Sequence, residues 1–263
     1  MNKDYLKDKK FLITGASSGI GFETTRILLE DGALVYAMVR NSAALNLLKK
    51  QYGEKLQVFK GDVSLQKDCA KYVSAAIKKW SEIHGLIHSA GVGIRSPARD
   101  IKLDIFRNIM DVNFYAMVYL YDACRKHLEK TNGHVVAVSS VHGLVTLPFR
   151  SAYSAAKHAL NAYVKSISFE EKNVHFLCVN FGYVKTSFSQ NAITGDGEKF
   201  ARNNPVPLKG MEVQKAVNLM LDAMMSRKKE ITPAGFKEKF ALFIYKFFPS
   251  IFNKLVTKFI KPD

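Results

Sequence analysis

Tyr153 and Lys157 stand four positions apart in SAYSAAKHAL, residues 151–160, among good helix formers. On a helix this spacing puts a phenol and an ammonium one turn apart on the same face. An isolated tyrosine has a pKa of about 10 and shuttles protons poorly at neutral pH. A cation within about 4–6 Å favours the phenolate. The pair therefore predicts a tuned acid/base, with Lys157 pulling the Tyr153 pKa down. The same spacing also arises on any solvated helix face, so the surrounding elements have to decide.

Those elements begin with a strand, a turn and a helix. KFLITG (10–15) reads as a buried strand and runs into TGASSGIGFETTRILLEDGA. Gly15 permits the tight turn, while Gly19 and Gly21 let the backbone approach a pyrophosphate and the helix pack on the sheet. The helix N-terminus offers free N–H groups to that anion. Gly15, Ser17, Ser18, Gly19, Ile20 and Gly21 are thus assigned to a dinucleotide. A nicotinamide site of the NAD type usually carries an acid at the end of the second strand, for the ribose hydroxyls. Here VYAMVRN has none and supplies Arg40. A carboxylate repels a 2′-phosphate, whereas a guanidinium holds it with paired hydrogen bonds. NADP(H) is therefore favoured over NAD(H). Asp62 and Val63, after the third strand, are placed to contact the adenine.

The remaining strands are read at ALVYAMV (33–39), LQVFKGD (56–62), GLIHSAG (85–91), HVVAVSS (134–140), HFLCVNFG (175–182) and EITPAG (230–235). Near-continuous apolar strands alternating with helices indicate a parallel sheet covered on both faces. The expected fold is a Rossmann-type, doubly wound α/β domain with a seven-stranded parallel sheet over residues 1–235. Residues 187–207 are polar and rich in Gly, Asn and Pro, as in a functional lid or a mobile connection.

Composition bounds the partners. Of 263 residues, 48% are hydrophobic and 24% charged, which suits a globular chain with a real core. Cys69, Cys124 and Cys178 are too scattered for a zinc site or a disulfide framework, and the histidines form no metal cluster. The N-terminal stretch lacks a signal-peptide apolar run, and no uncharged run is long enough to span a bilayer. A cytoplasmic location is expected. The net charge of +16 predicts attraction to anions. No nucleic-acid motif accompanies it, so specific nucleic-acid binding is not expected.

Together the TGASSGIG turn, Ser89-Ala90-Gly91, Asn113 in MDVNFYA, Ser140 in VVAVSS, and Tyr153 with Lys157 resemble the classical short-chain dehydrogenase/reductase family. The resemblance covers about residues 10–235. It implies that Tyr153 is the general acid in carbonyl reduction, or the base in alcohol oxidation. Ser140 would orient the carbonyl oxygen, and Lys157 would tune Tyr153 and bind the nicotinamide ribose. Asn113 would anchor a water linking Lys157 to solvent. Ser89, Ala90 and Gly91, with Gly182, Val184 and Thr186, would line the cofactor. The chain departs from the family's Asn-Asn-Ala-Gly at His88-Ser89-Ala90-Gly91, so His88 is read as a structural substitute for an asparagine. Phe181 replaces the usual proline before Gly182, which puts loop rigidity in doubt.

Beyond the resemblance lies FKEKFALFIYKFFPSIFNKLVTKFIKPD. Phe236, Phe240, Phe243, Ile244 and Phe247 recur at helical spacing before Pro249; Ile251, Phe252, Leu255, Val256 and Phe259 do so after it. Lys254, Lys258 and Lys261 fall on the opposite face, as in a basic amphipathic helix. Residues 236–263 are expected to pack on protein, to contact an anionic membrane peripherally, or to wall an apolar pocket. Family members with such extensions act on steroids, retinoids and acylated lipids, so the resemblance implies a hydrophobic carbonyl or alcohol substrate in a homo-dimer or homo-tetramer. A 3-oxoacyl reductase serving an acidic carrier protein and a non-catalytic nucleotide-binding scaffold are the competing expectations.

Overall fold

Seven short apolar runs align as one parallel sheet: β1 (Lys10–Thr14), β2 (Leu34–Val39), β3 (Leu56–Lys60), β4 (Gly85–His88), β5 (His134–Ser140), β6 (His175–Phe181) and β7 (Glu230–Ile231). The structure is a computed structural model and describes residues 3–200 and 210–259. Its strand order is β3-β2-β1-β4-β5-β6-β7, with every pair parallel. The seven-stranded doubly wound fold is as the sequence predicts.

The connecting helices are α1 (Lys3–Leu6), α2 (Gly19–Glu30), α3 (Asn46–Tyr52), α4 (Gln66–Trp80), α5 (Leu103–Met110), α6 (Ala116–Thr131), α7 (Ser151–Glu170) and α8 (Val213–Met225). Successive strand residues feed opposite layers. Phe11, Ile13, Val136 and Val138 pack towards α2, α3 and α8. Leu12, Val135 and Ala137 pack towards α4, α6 and α7. Both faces are therefore apolar, which explains why the strands read as unbroken hydrophobic runs.

Two strands end early for identifiable reasons. β4 stops at His88 because the Ala90 N–H donates to the Thr14 hydroxyl instead of to a ladder. β7 stops at Ile231 because Pro233 has no N–H to give; its carbonyl instead accepts from Gly182 N at 3.0 Å. The chain order reverses at β1, so β2 and β4 leave it in opposite directions. That divergence opens a crevice beyond the carboxyl ends of β1 and β4, where doubly wound sheets bind ligands.

The long polar connection is folded over 187–200. Ile193 bridges Ile94 in parallel, donating to the Gly93 carbonyl at 2.9 Å and accepting from Arg95 N at 2.8 Å. Gly195 accepts from Lys102 N, and any Cβ there would strike the Asp100 carbonyl. Residues 201–209 lie outside the described residues.

After β7 come α9 (Phe236–Phe247) and α10 (Pro249–Phe259). Pro249 divides them without breaking either, because it sits at the first position of α10, where its missing N–H costs nothing. The two helices fold back on each other through Tyr245 against Phe252 at 5.2 Å between centroids. Lys261 lies outside the described residues, as does the Phe259 side chain.

Candidate active site

The crevice starts at the turn after β1. Gly15 has φ +70° and Gly19 has φ +54°, a region that disfavours side chains. A Cβ on Gly15 would lie 2.6 Å from Ala90 N, and one on Gly21 would collide with the Gly15 carbonyl. The turn is thus held against the 89–91 segment while the α2 N-terminus points into the cleft. Ser18, the residue capping α2, makes no side-chain hydrogen bond to that helix end, which leaves its N–H groups open to an anion. Thr14 Oγ1 and His88 Nδ1, 2.9 Å apart, tie β1 to β4 just beneath. Burial pushes His88 down to about 3, so it is neutral. It ties strands together, as an asparagine substitute should.

From this turn the cleft extends both ways and encloses about 520 Å³. Arg40, Asp62 and Val63 line one end; Ser89, Ala90 and Gly91 line the middle. Asp62 Oδ1 accepts from Ser64 N at 2.9 Å and from Ser64 Oγ at 2.8 Å, fixing the strand exit. At the other end stand Ser140, Tyr153, Lys157, Gly182, Val184 and Thr186. The side chain of Thr186 closes on Gly19, with Cγ2 3.1 Å from where a Cβ would lie there. Phe181 is buried in β6 opposite Ser140, and Gly182 is held by Pro233 and Ala234. Sheet pairing thus supplies the rigidity that a proline would have given.

α7 places Tyr153 and Lys157 on one face, with the Lys157 ammonium 5.7 Å from the Tyr153 ring centre. Both are buried. Their electrostatics differ from the sequence expectation. Burial pushes Tyr153 up to about 12, against smaller lowering effects from the Ser140 hydroxyl and Arg150. Burial also pulls Lys157 down to about 8. The ammonium donates to the Val138 carbonyl at 2.9 Å. Desolvation therefore dominates both groups, and the phenol is protonated at neutral pH.

Asn113 lies in a π-helical turn, Asp111–Tyr115, between α5 and α6. Its side-chain amide donates to the carbonyls of Val92 (3.0 Å) and Ile109 (2.9 Å), and its Oδ1 accepts from Val92 N (3.3 Å). The side chain thus clamps the loop after β4. Ser140 Oγ accepts from His142 N at 3.2 Å at the end of β5.

Residues 9–196 match the family model for short chain dehydrogenase. The chain belongs to the short-chain dehydrogenase family. Dehydrogenase/reductase SDR family member 7B of Mus musculus is 29% identical, over 97% of this chain and 82% of its own length. The Xenopus tropicalis protein of that name is 31% identical over 94% and 84% respectively. Among solved structures, a short-chain dehydrogenase from Streptomyces avermitilis superposes with TM-score 0.81 at 20% identity, over 95% of this chain and 96% of its own. An alcohol dehydrogenase from Thermococcus sibiricus, complexed with 5-hydroxy-NADP, gives TM-score 0.75 at 20% identity, over 88% and 97%. These two likenesses establish the fold. This short-chain dehydrogenase is accordingly an oxidoreductase of the dehydrogenase/reductase type.

Three cleft residues of this short-chain dehydrogenase were not read from sequence. The Phe188 ring lies 5.7 Å from that of Tyr153, and the His142 ring meets Tyr153 edge-on at 5.9 Å. Arg150 lines the same end, with Nη1 donating to the Ile94 carbonyl at 2.6 Å. Phe188 comes from the long connection and Ile94 from a distant loop, so only the fold brings them to Tyr153. Arg150 carried a sequence signal, because it immediately precedes the helix bearing Tyr153.

Proposed function

We propose that this oxidoreductase uses NADP(H) to interconvert an apolar ketone or aldehyde with its alcohol, and that it runs as a reductase. The observation that carries the reading is the convergence of Ser140, Tyr153 and Lys157 at one end of a cleft whose other end holds Arg40. The nicotinamide, when bound, supplies the hydride. The glycine cradle and open α2 N-terminus suit its pyrophosphate, and Arg40, with no acid beside it on the strand end, suits a 2′-phosphate.

Tyr153 then protonates the oxygen that becomes negative as the carbonyl is reduced, with the Ser140 hydroxyl donating to that oxygen. A phenol kept protonated by burial is the form that reduction consumes. Lys157, half neutral near pH 8, binds the ribose and passes protons towards Tyr153. The Asn113 side chain is committed to Val92 and Ile109, so a water link to solvent falls to its main chain.

An apolar substrate is supported by Phe188 and by the tail. Phe236 is 83% exposed, and Phe240, Phe243 and Phe247 follow it along α9, each at least half exposed. Lys237, Lys239, Lys246 and Lys254 are exposed alongside. No helix among the described residues is long and apolar enough to cross a membrane. This tail suits peripheral contact with an anionic bilayer, from which an apolar substrate would be drawn. It favours such a substrate over an acyl carrier protein, and the intact Ser140–Tyr153–Lys157 set speaks against a scaffold.

Cofactor fluorescence on titration with NADPH and NADH, followed by turnover of long-chain ketones and carrier thioesters, tests the reading. Tighter NADPH binding and ketone turnover are expected. Tighter NADH binding, or turnover of thioesters alone, overturns it.

A further inference from the structure

Arg150 has an unusual setting for a guanidinium. It is half-buried in the cleft wall that Tyr153 and Tyr183 also line, and no Asp or Glu pairs with it among the described residues. Its one hydrogen bond there is the Nη1 donation to the Ile94 carbonyl. A guanidinium has five N–H donors, so most of its capacity is unspent. Close by, Arg95 stacks on Phe200 at 4.8 Å, and burial holds His142 neutral at pH 7. Lys199, from the connection that covers the site, lines the cleft as well. The carboxylate in the cleft wall, Asp62, is at the opposite, adenine end.

A desolvated cation without a counter-ion is costly, and removing an anion from water is favourable only where such a cation waits. We infer that Arg150 is a specificity residue that takes an anionic group, a carboxylate or phosphate, carried by the substrate close to its reacting carbonyl. The inference rests on the oxidoreductase reading and narrows its substrate to an amphiphile: an apolar body with an acidic group near the carbonyl. The planar fork of Arg150 fits either oxyanion through paired N–H donors. Arg150 touches substrate in this role and leaves hydride and proton transfer to other residues.

The test uses NADPH-saturated full-length protein and two matched probes, 4-phenylbutanoate and 4-phenylbutanamide, titrated calorimetrically. Saturating NADPH blocks the cofactor phosphate positions. Wild type is expected to bind the carboxylate about tenfold or more tighter than the amide, as a charge-assisted hydrogen bond implies. Arg150→Met should erase that preference with amide binding changed less than about twofold, while Arg150→Lys keeps part of it. Equal binding of both probes by wild type overturns the assignment. So does an equal loss of both probes in a folded Arg150→Met protein, which marks a purely structural clamp on Ile94. NADPH fluorescence in the same samples reports cofactor loading separately, so a failure of the oxidoreductase reading is seen on its own.

Discussion

Replacing Lys157 with methionine should make the protein more stable and inactive. Lys157 is 3% exposed, and burial lowers its pKa from 10.5 to about 8. Each tenfold change in a proton equilibrium is worth about 1.4 kcal/mol, so the buried charge costs about 3 kcal/mol at pH 7. Methionine keeps the length of the chain and removes the charge. It also leaves the Val138 carbonyl without its donor, a loss of about 1 kcal/mol. The net gain is about 2 kcal/mol, or a rise in Tm of about 4–8 °C for a domain of this size. The pH dependence has a defined sign. Below pH 8 native and unfolded Lys157 are both charged, and the whole penalty is present. Between about 8 and 10.5 the unfolded chain binds more protons, so this group makes wild-type stability rise with pH. Above 10.5 both states are neutral and the penalty has gone. Urea denaturation of cofactor-free wild type and Lys157→Met at pH 7 and pH 10.5 measures this. The variant's advantage at pH 7 should vanish at pH 10.5. A variant less stable than wild type at pH 7, or an advantage independent of pH, refutes the argument.

Other expectations follow from the same cleft. Tyr153→Phe should lower kcat by about 10²–10⁴-fold, the usual worth of general acid catalysis, while NADPH fluorescence titrations show unchanged affinity. Arg40→Met should weaken NADPH binding about 10–100-fold and leave NADH nearly unaffected, read by the same titration. Phe243→Asp with Phe247→Asp should abolish sedimentation with anionic vesicles while turnover of a water-soluble carbonyl persists; sedimentation equal to wild type would count against the tail as a membrane contact.

Much of the site was legible because local chemistry wrote it. Gly15 and Gly21 are glycines because a Cβ would strike Ala90 or the Gly15 carbonyl, and Tyr153 and Lys157 are neighbours because α7 repeats every 3.6 residues. The seven strands were visible because both their faces are buried, which leaves long apolar runs in the chain. Strand ends were less visible, since β4 and β7 stop where Ala90 N donates to the Thr14 hydroxyl and where the Pro233 carbonyl accepts from Gly182 N.

The sequence by itself determined the nucleotide turn, the pairing of Tyr153 with Lys157 and the parallel sheet, because each depends on contacts within a few residues or on a repeating period. Only the tertiary structure decided the protonation of that pair, the neighbours of Tyr153 and the open face of α9. Desolvation is summed over every atom surrounding a group, and those atoms come from β5, α7, the Ile94 loop and the covering connection together. The four-residue spacing could put an ammonium beside a phenol; the depth of burial made the phenol hold its proton and the ammonium release its own more readily.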